Sequence, residues 1–236
     1  MATYPPPDPA IVEECLARYR REHHTIEVFA NSVHNFLATH PDLTKGDLPP
    51  VHSSKCRTKN EVNLGKKIVR KKVEDNLDIT AANLLALVTD LGGVRILHLH
   101  REQFEQIHSV ITQHVSERHW ALYEPPTAYT WDPEYREFFA ALGLIPQIKD
   151  SNYTSVHYVV KPNEESPITC EVQVRTLFEE VWGEIDHVLN YPVRIESIAC
   201  SEQLRVLAKM VGAGSRLAEA IFRSHREFLK GKQEPK

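Results

Sequence analysis

Several kinds of chemistry are missing from this sequence. The four cysteines, Cys15, Cys56, Cys170 and Cys200, are widely spaced, with no CxxC pair and no Cys/His cluster of zinc spacing, so reduced, buried thiols are expected. No apolar run approaches membrane-spanning length, and no basic-then-apolar leader opens the chain. These absences predict a cytoplasmic protein with no membrane partner. A net charge of -4 removes any bulk electrostatic pull toward nucleic acid or anionic membrane. There is no internal repeat and no low-complexity segment. The remaining 42% hydrophobic and 25% charged residues describe an ordinary globular chain, long enough at 236 residues for a substantial core.

The most informative stretch is Tyr153 to Arg175, which reads as two strands joined by the breaker 161–167, LysProAsnGluGluSerPro. On the second strand Cys170, Val172 and Val174 fall on one side, and Glu171, Gln173 and Arg175 on the other. On the first, Val156, Tyr158 and Val160 oppose Tyr153, Ser155 and His157. A wet strand face is expected to be polar, but solvation alone calls for Lys, Thr and Glu. If the strands pair, a carboxylate, an imidazole, a guanidinium, an amide and an aromatic ring share one face.

Ahead of this hairpin, 10–38 reads as a packing helix with Ile11, Cys15, Tyr19, Ile26, Phe29, Val33 and Phe36 at helical spacing, and 41–50 as a loop. A cation-rich span follows: Lys55, Arg57, Lys59, Lys66, Lys67, Arg70, Lys71 and Lys72. Val62, Val69, Val73 and Leu77 supply an apolar stripe for a helix here. The cations suit either a solvated face or a polyphosphate, which lysines meet as point charges while arginine stacks on a base. Val94, Ile96, Leu97 and Leu99 predict a buried strand beside Gly92-Gly93, with Asp90 at its entry. Arg95, among apolar neighbours, needs a partner.

Helices are predicted over 102–117 and 134–144, with a loop over 123–133. Another runs from Arg175 to Pro192 with Phe178, Val181, Trp182, Ile185 and Leu189 inward, and His187 on it reads as a structural residue. A last helix begins near Glu202 with Leu204, Leu207, Val211, Leu217 and Ile221 inward, and the segment 209–236 carries seven basic and three acidic residues.

Two carboxylates, Asp90 and Glu171, downstream of clustered cations form a coherent set for phosphoryl-type transfer. They can hold Mg²⁺ on a triphosphate, and one can accept a hydroxyl proton. This requires the fold to bring the two acids together.

The segments RTKNEVNLGKKIVRK, TDLGGVRIL, NYTSVHYVV and CEVQVRTLFEEVWGEIDH, in this order, resemble the synthetase domain of the RelA/SpoT family, the enzymes of the alarmone (p)ppGpp. The likeness runs from about Lys55 to Tyr191. It implies an α/β fold, a mixed β-sheet flanked by helices with nucleotidyltransferase-like topology, and pyrophosphate transfer from ATP to a ribose 3′-hydroxyl. The expected organisation is an N-terminal helix and loop over 1–50, a synthetase core over 51–195 and a helical extension over 196–236.

Carried over by the resemblance, Arg57 and Arg95 sandwich adenine, and Lys59, Lys67 and Arg70 meet the ATP phosphates. Asp90 is the Mg²⁺ ligand, and Glu171 is its metal partner and the base toward the acceptor, with Gln173 and Arg175 beside it. Tyr153 stacks on the acceptor base near His157. Two positions depart from the family pattern: Asn152 replaces a usual Gly, and Glu180 stands where Asn or Asp is common. Nothing resembles the family's hydrolase domain, and no room is expected for a regulatory module after Tyr191.

Three readings follow. The first is a Mg²⁺-dependent pyrophosphokinase using ATP and a guanine nucleotide, GDP or GTP. The second keeps the chemistry but makes the acceptor a tRNA 3′ end or an adenine nucleotide, motivated by Asn152 and the basic C-terminal segment. The third is a catalytically silent nucleotide-binding module. Homo-oligomerisation stays open in all three.

Overall fold

A computed structural model describes residues 4–149, 152–190 and 195–233. The elements run α1 (Pro9–Thr39), α2 (Pro41–Thr44), β1 (Ser53–Thr58), α3 (Glu61–Asp75), α4 (Leu84–Leu87), β2 (Gly92–His98), α5 (Gln103–Ser116) and β3 (Ala121–Leu122). They continue β4 (Thr127–Thr130), α6 (Pro133–Ala141), β5 (Ile145–Ile148), β6 (Ser155–Lys161), β7 (Cys170–Thr176), α7 (Leu177–Asn190) and α8 (Ile198–Gln233). The expected mixed α/β fold is present as a seven-stranded sheet of order β1-β2-β7-β6-β4-β5, with β3 on β6. β2 runs parallel to β7, β4 parallel to β5, and the other pairs are antiparallel.

Strand alternation divides the sheet into two faces. Val94, Ile96, Val156, Tyr158, Val160, Val172 and Val174 are all buried and join the core formed with α1, α3, α5 and α6. Helix α1 lies across this face through Cys15, Tyr19, Ile26, Ala30 and Val33, with Ile26 and Val33 each contributing about 1.5–3 kcal/mol. Gly92 permits this close approach, because a Cβ there would meet Ile26 at 3.1 Å and Ala30 at 3.2 Å.

The opposite face is polar, and the register orders it. Lys55, Arg95, Gln173, His157 and Thr127 form one row across β1, β2, β7, β6 and β4. Arg57, Gly93 and Glu171 form the next. Helix α7 covers this side. It begins directly after β7 through a reciprocal cap: Glu179 N–H donates to Thr176 Oγ1, and Thr176 N–H donates to Glu179 Oε2, each at 3.1 Å.

Several expectations are corrected. In α7 only Trp182 of the expected stripe is buried, while Phe178, Val181 and Ile185 are 37%, 52% and 39% exposed. Glu179 and Glu180 face inward instead, because Thr176 and the sheet's cations satisfy them. In α8 Leu204 and Val211 are buried, but Leu217 and Ile221 are exposed, and Ser215 and Glu219 take the inward positions. Tyr135 pairs with Ser215, and Arg101 with Glu219, which sets that helical phase. In α3 the buried pair is Leu64 and Ile68, with Val62 and Val69 exposed.

The loop over 123–133 contains β4, and 41–50 contains the one-turn α2. β1 and β5, short edge strands without strong apolar alternation, were not signalled by the sequence. Pro192, expected to end α7, lies outside the described residues. The four cysteines are free thiols, but only Cys15 and Cys170 are buried as expected, while Cys56 and Cys200 are half-buried. Among the described residues no helix is long and apolar enough to cross a membrane.

Candidate active site

Asp90 sits on the turn before β2, and Glu171 lies on the neighbouring strand β7, in register with Gly93. The absence of a side chain at Gly93 leaves the space between them open. Both acids line one cavity of about 250 Å³, walled by Lys55, Arg57, Arg95 and Gln173. The sequence's central requirement, that these two carboxylates share a site, is met.

Lys59 Nζ donates to Asp90 Oδ2 at 2.6 Å and Lys67 Nζ to Oδ1 at 2.8 Å. Burial pushes the Asp90 carboxyl up, but the two lysines outweigh it and leave its pKa at about 2. Burial likewise pushes Lys59 down, with help from Lys67 and Arg57. Glu171 is held by His157 Nδ1 at 3.1 Å and by Gln173 Nε2 at 2.6 Å. Burial raises its pKa, and the hydrogen bond and charge of His157 more than offset that, keeping the carboxyl below its ordinary value. Asp90 itself repels Glu171.

These donors fit a hard divalent cation. Two ionised carboxylates line one cavity, and oxygen is the ligand type Mg²⁺ prefers. Each oxygen engaged by a lysine, His157 or Gln173 keeps further lone pairs.

A second cavity of about 340 Å³ adjoins the first across a shared wall of Arg57, Arg95, Gln173 and Glu184. Its lining includes Tyr153, Arg175, Gly183, Asp186, His187 and Asn190. Tyr153 Oη meets His157 Nε2 at 3.0 Å, so Tyr153, His157, Glu171 and Gln173 form one hydrogen-bonded chain running from the second cavity into the first. The Arg175 guanidinium lies 5.8 Å from the centre of the Tyr153 ring. Asn152, just before that tyrosine, has φ 60°, the left-handed conformation that suits Gly and that Asn tolerates.

The structure thus brings together Arg57, Lys59, Lys67, Asp90, Arg95, Tyr153, His157, Glu171, Gln173 and Arg175. Arg70 is not among the residues lining either cavity; it lines a groove between α1 and α3 with Val12, Val62 and Val69. Glu180 has a larger part than expected. It is 5% exposed, and its Oε1 accepts from Arg95 Nη1 at 2.7 Å and from Lys55 Nζ at 3.2 Å, while Oε2 meets Arg175 Nη2 at 2.5 Å. Glu184, Asp186 and Asn190 also line the cavities without having been singled out, and His187, read as a structural residue, lines the second cavity with them. Their signal in the sequence is Glu180, Gly183, Glu184 and His187 at helical spacing, a polar stripe opposite the apolar one.

The polar face of this mixed sheet sets paired carboxylates beside a wall of cations, an arrangement suited to polyphosphate chemistry. The family model described as a region found in RelA / SpoT proteins matches residues 56–196, and the chain belongs to that family, a family of pyrophosphotransferases. No curated protein matches the sequence. Among solved structures, a GTP pyrophosphokinase family protein from Streptococcus pneumoniae is 18% identical at a TM-score of 0.62, over 94% of this chain and 98% of that one. Small alarmone synthetase 1 from Bacillus subtilis is 19% identical at a TM-score of 0.61, over 91% and 99%. The same protein bound to its product pppGpp is 20% identical at 0.55, over 92% and 97%. At these identities the likeness is one of fold.

Proposed function

We propose that this protein transfers the β,γ-pyrophosphate of ATP to the 3′-hydroxyl of a guanine nucleotide, releasing AMP and giving (p)ppGpp. The observation that carries the reading is the pair of adjoining cavities, one holding Asp90 and Glu171 and the other Tyr153 and Arg175, with Arg57 and Arg95 between them. The Bacillus subtilis neighbour bound to pppGpp supports a product of this kind.

In this mechanism Arg57 and Arg95 hold adenine, and Lys59 and Lys67 meet the phosphates. Tyr153 stacks on the acceptor base, with Arg175 behind its ring. The 3′-oxygen attacks the β-phosphorus and its proton passes to Glu171, which His157 and Gln173 keep ionised and oriented. A bond forms from the 3′-oxygen to the β-phosphorus as the bond to the α,β-bridging oxygen breaks, and that oxygen leaves with AMP. Mg²⁺ held by Asp90 and Glu171 would neutralise charge on the transferring phosphates.

A tRNA acceptor loses part of its motive. Arg216 pairs with Asp132, and Arg223 and Arg226 pair with Glu102, so three cations of the basic C-terminal segment are engaged within the chain. The deciding experiment incubates the protein and Mg²⁺ with γ-labelled ATP and, separately, GDP, GTP, ADP, ATP and bulk tRNA. Label is expected on a guanine nucleotide with matching AMP release, and on none with Glu171→Ala. Label on tRNA alone would move the acceptor, and nucleotide binding without AMP release would end the catalytic reading.

A further inference from the structure

Helix α5 ends in a turn that gathers three metal-ligating side chains remote from the two cavities. His114 and Glu117 are three positions apart and share a helical face. In a continuing helix His119 would point away from them. Arg118 instead takes φ 64°, so that Arg118 N–H donates to Val115 C=O at 2.9 Å and His119 N–H to His114 C=O at 3.1 Å. This closing turn folds His119 back onto His114, with the rings stacked 4.6 Å apart at 29°. One ligand atom from each of His114, Glu117 and His119 lies within 4.8 Å of the others, and no other group of three is so placed among the described residues.

We propose that His114, Glu117 and His119 bind a divalent transition-metal ion of the zinc class. Two imidazoles and one carboxylate are a recurrent zinc donor set, leaving one coordination position for water. With metal–ligand bonds of roughly 2.1 Å, tetrahedral ligand atoms stand about 3.4 Å apart, so closure needs an inward movement of at most about 1.4 Å together with rotation of the His119 ring out of the stack, because imidazole lone pairs lie in the ring plane. The anchor is His114, stacked on Phe36 of α1 at 3.9 Å and set edge-on to Trp120 at 4.4 Å. Glu117 and His119 are about half exposed and supply the movement. Magnesium prefers oxygen ligands, so this ion differs from the one the carboxylate pair suits. Bound here, it would clamp the end of α5 to the turn before β3 and, through Phe36, to α1.

The test uses the untagged full chain, stripped of metal and titrated with Zn²⁺ against a fluorescent chelator. One tight equivalent is expected, together with a rise in Tm on adding Zn²⁺. His119→Gln and Glu117→Gln, both at exposed positions, should keep their circular dichroism, lose at least ten-fold in affinity and lose the rise in Tm. His114→Gln should lose binding too, but its packing on Phe36 makes the exposed variants decisive. The chain has 13 histidines. Affinity and thermal response unchanged in both exposed variants, or no tight equivalent in the wild type, would overturn the site.

Discussion

Glu180 accepts a hydrogen bond from Arg95 at 2.7 Å, joining residues 85 positions apart, and its other oxygen meets Arg175. One buried carboxylate therefore holds a cation of the shared wall and a cation of the second cavity in fixed positions.

Removing that carboxylate leaves Arg175, which is 5% exposed, without its anion. Breaking one side of a buried ion pair costs about 3–5 kcal/mol, so Glu180→Ala should lower the unfolding free energy by that order, read as a lower urea midpoint at unchanged slope. The KM for ATP should also rise as Arg95 loses its hold. A variant with wild-type stability and an unchanged KM would contradict the network.

Gly183 lies against Arg175: a Cβ there would stand 2.7 Å from its Nη1. Because Arg175 is packed beneath Tyr153 and α7, Gly183→Ala should displace the guanidinium. The expected result is a several-fold rise in the KM for the acceptor, with little change in the KM for ATP. Steady-state kinetics with each substrate varied would show it, and equal effects on both would count against the assignment.

Glu171→Gln should keep the fold, since the amide oxygen still accepts from Gln173 or His157, while removing the proton acceptor. A general base contributes about 10²–10⁴-fold, so turnover should fall by at least 10² with nucleotide binding retained. Equilibrium binding and single-turnover AMP release would separate the two effects. A variant with near-normal turnover removes Glu171 from the base role.

Glu179 is buried at the start of α7, and burial raises its pKa to about 7. A carboxyl raised above its unfolded value near 4.5 stabilises the fold fully below that value, and this contribution is lost as pH climbs to about 7. Glu179→Gln should therefore change little near pH 4.5 and stabilise the protein at pH 8 by about 3.5 kcal/mol, at about 1.4 kcal/mol per pKa unit. Thermal unfolding at the two pH values checks the sign, and a loss of stability at pH 8 would refute it.

Much of the sheet was legible in the linear pattern. Strict alternation on β6 and β7 assigns Val156, Tyr158, Val172 and Val174 to the core and Glu171, Gln173 and His157 to the other face, because side chains on a strand can only alternate. The positive φ at Asn152 is one that Asn tolerates better than most residues, so the replacement of the family's usual Gly there is mild. Helical phase was harder to read. An amphipathic helix presents two regular stripes, and hydrophobicity alone chooses the apolar one for burial. In α7 that choice fails, because cations from β1, β2 and β7 wait beneath it, and burying Glu180 against Lys55, Arg95 and Arg175 is favoured over leaving those charges unmatched.

The order of residues carries the chemical inventory: two acids, the cations before them and a strand face rich in hydrogen-bonding groups. Tertiary structure alone decided that Asp90 and Glu171 share a cavity. Their meeting depends on the parallel pairing of β2 with β7, which sets Gly93 opposite Glu171. That pairing joins segments nearly eighty residues apart, beyond the reach of any local periodicity.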